Sequence, residues 1–213
     1  EAKASRAEAR ALCDEQRDWR LEACALVGQA RYDPNVDPAL FDDPHLPTSP
    51  SRWFPLAVGD RWEYRGGDEV DVVEVVDETK RIAGVDCLVA RDVVTKAGDV
   101  AEATDDWYAF AKDGNVWYFG EEAKDLESFD GDVPRRPEIV SIEGSFKAGR
   151  DRDKPGIIFQ AAPAVGLAYL EEFSLGNAED LTEILSTTYR WGTDPALDPL
   201  APPGRAGLPW DRK

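Results

Sequence analysis

Residues Asp105–Glu122, DDWYAFAKDGNVWYFGEE, contain two aromatic runs separated by the turn sequence Lys112–Asn115. The Asp-Gly pair in this turn tolerates the positive φ angles that a tight two-residue turn requires. Aromatic residues on both sides favour a pleated, half-buried surface. We therefore predict a β-hairpin. Because side chains alternate along a strand, Trp107 and Tyr108 point to opposite faces. We expect one face to be covered by the curving sheet and the other by the N-terminal helix or by a ligand.

Acidic residues flank this hairpin at both ends of the stretch. Asp105 and Asp106 precede the first arm, and Glu121 and Glu122 follow in the second. An antiparallel pair brings these ends together, and like charges in contact are costly unless they are solvated or bound to a cation. Two interpretations follow: a solvated hairpin base, or a site for a cation or polar ligand beside aromatic rings.

Composition limits the classes of partner. The 213 residues include 43 acidic and 25 basic side chains, a formal net charge of −18. This charge argues against binding to nucleic acid or to anionic membrane surfaces, and it permits cations or basic partners. No run approaches the roughly 20 apolar residues of a transmembrane helix. The chain begins at Glu1 and contains no methionine, so we expect a processed form that has lost any export signal or lipid anchor.

The first 32 residues are predicted to be helical, since alanine, arginine, glutamate and leucine dominate them. Cys13 and Cys24 would lie about 16 Å apart along one straight helix, beyond the reach of a disulfide. A bridge from either one to Cys87 and three unpaired thiols both remain open. No CxxC spacing occurs, which disfavours zinc-ribbon and thioredoxin-like sites.

The rest of the chain divides into three segments. Residues 33–50 form a proline-rich arm with the only histidine, His45, which we expect to be exposed. Residues 51–192 form an antiparallel β domain that opens with a meander of five or six strands between Arg61 and Gly120. Later strands are predicted at 138–147, at 167–173 and toward the end of 181–191 (ILSTTYRW, residues 184–191). Residues 156–160 are a short apolar segment, and residues 193–213 form a proline-rich tail. The predicted fold is mainly β: a strongly curved antiparallel sheet or partial β-barrel with one N-terminal helix.

Several phrases in residues 51–185 resemble a family of uncharacterised bacterial proteins that are usually secreted or lipoprotein-like. The phrases are FPLAVGDRWEY, DETKRIAGVDCLVARDVV, DWYAFAKDGNVWYFGEE, EGSFKAGRDRDKPGI and GNAEDLTEIL. The first phrase is also similar to lipoproteins of the LolA type, which have open-barrel sheets. The resemblance implies a β fold and an extracytoplasmic location (periplasmic, cell-surface or secreted), and it implies no particular activity.

A curved sheet with aromatic residues on both faces can enclose a small ligand, although the same residues can simply fill the core. The candidate lining residues are aromatic apart from one carboxylate: Trp62, Tyr64, Trp107, Tyr108, Trp117, Tyr118, Phe119 and Glu121.

Calcium or another hard cation is the second candidate ligand, because such ions prefer carboxylate and carbonyl oxygens on turns. Three predicted loops carry suitable aspartates, and none has the complete EF-hand pattern. The candidate ligands are Asp113, Asp130, Asp132, Asp151 and Asp153.

Carboxylate catalysis is the third candidate. Glu121 or Glu122 would need an acidic partner from another strand, such as Asp106, Glu143 or Glu171, to act as the acid–base pair of a hydrolase. The nucleophile motif GxSxG and glycine-rich phosphate loops are absent from the sequence.

The first functional hypothesis is a non-catalytic extracytoplasmic binding protein for a small molecule or hard cation. The alternatives are a carboxylate-dependent hydrolase and a structural or protein-interaction module. A binding protein should have an open cavity between helix and sheet, and an enzyme should have converging carboxylates. An interaction module should instead present an exposed apolar patch.

Overall fold

The computed structural model describes residues 2–198 and is mainly β, with one helix and a curled antiparallel sheet that forms a half-barrel. This confirms the predicted fold class. Helix α1 spans Ala2–Val27, and a 3-10 turn spans Pro38–Leu40. The strands are β1 (Arg61–Gly66), β2 (Glu69–Ile82), β3 (Val85–Lys96), β4 (Asp99–Phe110), β5 (Val116–Glu127), β6 (Glu138–Ser141), β7 (Phe146–Lys147), β8 (Lys154–Phe159), β9 (Ala168–Leu170), β10 (Glu172–Phe173) and β11 (Leu181–Glu183).

The main sheet has the order β1-β2-β3-β4-β5-β8-β10, and β6 and β7 also pair with β5. Strands β1 to β5 form the predicted meander of consecutive antiparallel neighbours. Strands β9 and β11 form a separate two-stranded sheet. The part of the predicted tail at 199–213 lies outside the described residues.

Helix α1 is one continuous helix that ends at Val27, before Gly28, so the prediction that it extends to residue 32 was wrong. Since it does not break, Cys13 and Cys24 cannot bridge each other. All three cysteines are unpaired. Cys87 is buried in β3, and burial raises the pKa of its thiol. None of the helices in residues 2–198 has the length and apolar character needed to cross a membrane.

The central hairpin consists of β4 and β5, but its loop is longer than the predicted two-residue turn. Ala111 N–H donates to Asn115 O (2.9 Å), and Gly114 N–H donates back to Ala111 O (2.8 Å), which leaves a three-residue loop. Gly114 has φ +89°. The combination of a type I-like turn with a left-handed glycine is a common alternative for closing a hairpin.

Other strand predictions need correction. Strand β2 continues to Ile82, with an irregularity in its pairing between Val75 and Thr79, and a turn at residues 83–84 connects it to β3. The predicted strand 138–147 is two strands separated by a turn that Ser145 N–H closes onto Ile142 O. The prediction at 167–173 is likewise two short strands, in different sheets. Strand β11 ends at Glu183, so the stretch 184–191 is not a strand.

The hairpin separates two apolar clusters, as the alternation of its side chains predicts. Trp107 and Ala109 belong to one cluster, which is covered by Phe41 of the proline-rich arm. Phe110 belongs to the other, which Phe54 joins. Both faces of the hairpin are therefore covered next to its loop. The face that carries Trp107 is covered there by the proline-rich arm rather than by α1. We call the face that carries Trp107 the arm face.

Candidate functional site

Carboxylates from three neighbouring strands converge on the face opposite the arm. Asp92 on β3 pairs with Thr104 on β4, and Glu102 and Asp106 stand on either side of Thr104 on the same face. Asp71 on β2 lies diagonally across from Asp92, since Val73 is the residue directly opposite Asp92. We call this surface the acid face; its residues are Tyr64, Asp71, Asp92, Glu102, Thr104, Asp106, Tyr108, Tyr118 and Glu121.

Asp71 and Asp92 form the centre of the acid face. Each has one carboxyl oxygen, Oδ1, that is buried without a hydrogen-bond partner. Burial, a hydrogen bond with Asp71 and the negative charges of Asp71, Asp106 and Glu102 together raise the pKa of Asp92 to about 8. We therefore expect the Asp92 carboxyl to keep its proton near neutral pH.

Tyr118 connects the acid face to the aromatic core. Its hydroxyl donates to Asp106 Oδ1 at 2.5 Å, a short hydrogen bond. The ring is buried, stacks on Tyr108 at 5.1 Å and meets the edge of Phe146 at 5.4 Å. Burial and then the charge of Asp106 raise the pKa of Tyr118 well above its usual range. The hydroxyl therefore remains a donor that holds this carboxylate in place.

A bulge in β5 brings Glu121 onto the acid face. Asp106 pairs with Glu121 and Tyr108 with Tyr118, so β5 uses one more residue than β4 between the two pairs. The bulge is at Gly120, with φ +130°, where a Cβ atom would collide with the backbone of Phe146. Only glycine fits there. As a result, Tyr118 and Glu121 share a face although they are three residues apart.

Acids on the arm face have basic partners. Asp105 accepts a hydrogen bond from Arg91 Nε at 2.8 Å, and Glu122 lies 2.6 Å from Lys124 Nζ. Asp106, the next residue in sequence, lies on the acid face and accepts from the Tyr118 hydroxyl instead. The acid face is the stronger candidate for a ligand because it holds the buried Oδ1 atoms of Asp71 and Asp92.

The structure divides the predicted aromatic lining between the two faces. Tyr64, Tyr108, Tyr118 and Glu121 lie on the acid face, and Trp62 packs into the apolar cluster at the end of that face. On the arm face, Trp107 and Phe119 are buried and Trp117 packs against the same cluster. The predicted lining residues therefore do not surround one common space.

The aspartates predicted to bind calcium lie in three separate loops. The carboxylate of Asp113 accepts from the backbone and side-chain N–H groups of Asn115, both at 3.0 Å. Asp130 and Asp132 are exposed after β5, and the exposed Asp151 and buried Asp153 precede β8. Among residues 2–198, no group of three or more His, Cys, Asp or Glu side chains is placed to hold a metal ion. Calcium binding stays a prediction.

The acidic residues considered for catalysis are also dispersed, with one exception. Asp106 and Glu121 are directly opposite each other on β4 and β5. Glu143 is exposed in the loop between β6 and β7. Glu171 is buried, and its carboxylate accepts a hydrogen bond from the Thr182 hydroxyl.

Sequence reasoning missed Asp71, Asp92 and Glu102. Alternation did not single out Asp71, because both faces of the run VDVVEVV carry valines: Asp71 alternates with Val73 and Val75, and Glu74 alternates with Val72 and Val76. The convergence of Asp92 with Glu102 depended on strand register, which alternation alone does not supply.

No protein-family model matches this chain, and no curated protein and no solved structure does so either.

Proposed function

We propose that this protein binds a small organic cation on its acid face without catalysing a reaction, in an extracytoplasmic compartment. The observation that carries the proposal is the pair of buried Oδ1 atoms of Asp71 and Asp92, which have no hydrogen-bond donor. A buried polar atom without a partner costs free energy, and a bound donor would recover it.

An ammonium or guanidinium group matches this surface in charge and in hydrogen bonding. Carboxylates accept strong, charge-assisted hydrogen bonds from such groups. Tyrosine rings beside the carboxylates also favour an organic cation, because a cation is attracted to the face of an aromatic ring. The net charge of −18 would raise the local concentration of any cationic ligand.

An organic cation is favoured over calcium by the shape of the donor set. Calcium takes six to eight oxygens around one point. The acids of this face are spread over β2, β3 and β4 at alternate positions, so they form a surface rather than a cage. An elongated cation with several N–H donors can reach more than one carboxylate at once.

Isothermal titration calorimetry with agmatine, which carries a guanidinium and an ammonium group, tests the proposal. At about pH 8.5, where Asp92 is ionised, Asp92→Asn and Asp106→Asn should each weaken agmatine binding by about tenfold or more, since each removes a carboxylate from the acid face. Asp105→Asn is the matched control: it removes a neighbouring acid from the arm face and should leave affinity unchanged. Equal losses in Asp105→Asn and Asp106→Asn would mean that agmatine responds only to total charge.

Binding should also depend on pH. Asp92 with its raised pKa holds a proton below about pH 8, and a cation favours the ionised form. Agmatine affinity should therefore increase from about pH 6.5 to about pH 8.5, with release of a proton. Titration of calcium chloride in parallel distinguishes a hard-cation site, which would show binding of calcium and none of agmatine.

The proposed location rests on the resemblance of residues 51–185 to secreted and lipoprotein-like bacterial proteins. Fractionation of bacterial cells that express the full-length gene, followed by immunoblotting, tests it. Recovery of the protein in the cytoplasmic fraction alone would overturn this part of the proposal.

A carboxylate-dependent hydrolase is the second candidate, favoured by the facing pair Asp106 and Glu121. A general acid needs a carboxyl that keeps its proton near neutral pH, and the neighbouring Asp92 has this property. A set of chromogenic glycosides would test it. Turnover that Glu121→Gln abolishes and Glu122→Gln preserves would support an enzyme, and absence of turnover by the unaltered protein would count against glycoside hydrolysis.

A further inference from the structure

A cavity of about 610 Å³ lies between α1 and strands β8 to β10. Trp19, Ala23 and Val27 of the helix form one wall, and Trp117, Ile157 and Phe173 of the sheet side form the other. Trp117 and Ile157 are paired residues of β5 and β8, which places the cavity on the side of the sheet opposite the acid face. This cavity is therefore distinct from the proposed cation site.

Arg20, Glu179 and Asp33, three of the ionic groups that line this cavity, already have partners, and the positive charge of Arg31 acts on Asp33. Arg20 donates two hydrogen bonds to Glu179, at 2.9 and 2.7 Å. Asp33, also in the lining, accepts from Lys154 at 2.7 Å. The Tyr32 hydroxyl donates to Pro155 O at 2.9 Å. A charged ligand would have to compete with these contacts, whereas a neutral ligand would leave them intact.

Helix α1 does not close this space by its own packing. Among the helix side chains that the structure describes, Ala23 alone is buried. Small groups such as Ala23 and Val27 face aromatic and aliphatic groups across a gap instead of interdigitating with them. Protein interiors are normally close-packed, so a gap with apolar walls is a place where an apolar molecule gains contacts that water cannot supply.

We propose that the cavity between α1 and strands β8 to β10 binds an uncharged, largely apolar small molecule. The enclosure by two walls and the volume are those of small-molecule sites, which measure about 300–1,000 Å³. Tyr32 stacks at a tilt on Phe173 at 5.2 Å beside the cavity, so flat ring systems suit its walls. The bound molecule would join the helix to the sheet.

The fluorescent probe N-phenyl-1-naphthylamine, which is uncharged near neutral pH and brightens in apolar surroundings, tests this site. Val27→Trp and Leu175→Trp each place a large ring into the cavity from exposed positions on different segments. Each should weaken probe binding by about tenfold or more. Leu12→Trp is the matched control, because Leu12 is an exposed residue of the same helix outside the cavity lining, and it should bind like the unaltered protein.

The other outcomes are equally defined. The anionic probe 1-anilinonaphthalene-8-sulfonate should bind more weakly than its uncharged relative, and equal affinity would overturn the choice of a neutral ligand. No fluorescence increase, or the same affinity in all three variants, would overturn the site itself. Circular dichroism of each variant checks its folding, and the two cavity variants come from separate segments, so a folding defect in one leaves the other as a test. Agmatine binding should be unchanged in Val27→Trp and Leu175→Trp, because the cavity and the proposed cation site lie on opposite sides of the sheet.

Discussion

Replacing Asp92 by asparagine should stabilise the folded protein at alkaline pH and change it little at acid pH. The folded-state pKa of Asp92 is raised, so between its unfolded value of 3.8 and about 8 the folded protein holds a proton that the unfolded chain has released. Stability therefore falls as pH rises through this range. Asparagine does not ionise, and its amide N–H can donate to the unpartnered oxygen of Asp71.

The size of the effect follows from this shift and from the surroundings of the carboxyl. Each pKa unit corresponds to about 1.4 kcal/mol, so the whole shift would amount to several kcal/mol. Asp92 is only half-buried, and contact with solvent reduces this cost. We expect a gain of about 1–3 kcal/mol above about pH 8, with a melting temperature higher by about 2–4 °C for each kcal/mol.

Urea unfolding at about pH 5 and about pH 9 measures this gain. Asp86→Asn is the control on the same strand, because Asp86 pairs with Arg81 through two hydrogen bonds of 2.7 Å. The hydrogen bond and charge of Arg81 lower the pKa of Asp86, so its contribution to stability is present above the unfolded pKa and is lost as the pH falls. Asp86→Asn should thus be slightly destabilising at about pH 9.

One result would refute the reasoning. If Asp92→Asn changes the free energy of unfolding equally at both pH values, Asp92 does not carry a raised pKa in the folded protein. A pH-independent loss of stability would instead show that Asp92 contributes a structural hydrogen bond.

Three further predictions concern the sheet, and thermal or urea unfolding measures each of them. Gly114→Val and Asp113→Ala should each destabilise the protein by about 1–3 kcal/mol. The first puts a β-branched residue at a positive φ angle, and the second removes the carboxylate that accepts hydrogen bonds in the loop. Unchanged melting in both variants would contradict the proposed role of the hairpin. Gly156→Ala should cost about 2–5 kcal/mol, since its Cβ would collide with the backbone of Glu171, and an unaffected variant would mean that β10 moves aside freely. Tyr118→Phe should cost about 1–3 kcal/mol by leaving a carboxylate of β4 without its short hydrogen bond, and a neutral result would mean that water replaces the hydroxyl.

Local chemistry explains the parts of the fold that could be predicted. The aromatic runs on both sides of the Asp-Gly turn define the hairpin, and the two-residue alternation of the strands from Arg61 onward defines the meander. The strand predictions failed in the second half of the chain, where short strands and turns follow one another within a few residues. Strands of two to four residues after Glu127 carry too little periodicity to be located, and their partners are remote in sequence.

The candidate site shows the same difference between what local sequence predicts and what remote contacts decide. Alternation alone puts Tyr118 and Glu121 on opposite faces, because they are separated by an odd number of residues. The bulge at Gly120 reverses the phase of the strand and places both on the acid face. This bulge depends on the close approach of Phe146, which belongs to a strand more than twenty residues away.

The amino-acid sequence alone establishes the acidic charge, the helix, the hairpin and the alternating strands, because these depend on residues close together in the chain. The tertiary structure establishes which acids meet and which have basic partners. Asp71, Asp92 and Asp106 come from three strands, and only their registers bring them side by side. Asp105, one residue from Asp106, faces the other way and pairs with Arg91. The physical reason is that electrostatic cost depends on distance and burial, and both are fixed only when the sheet is assembled.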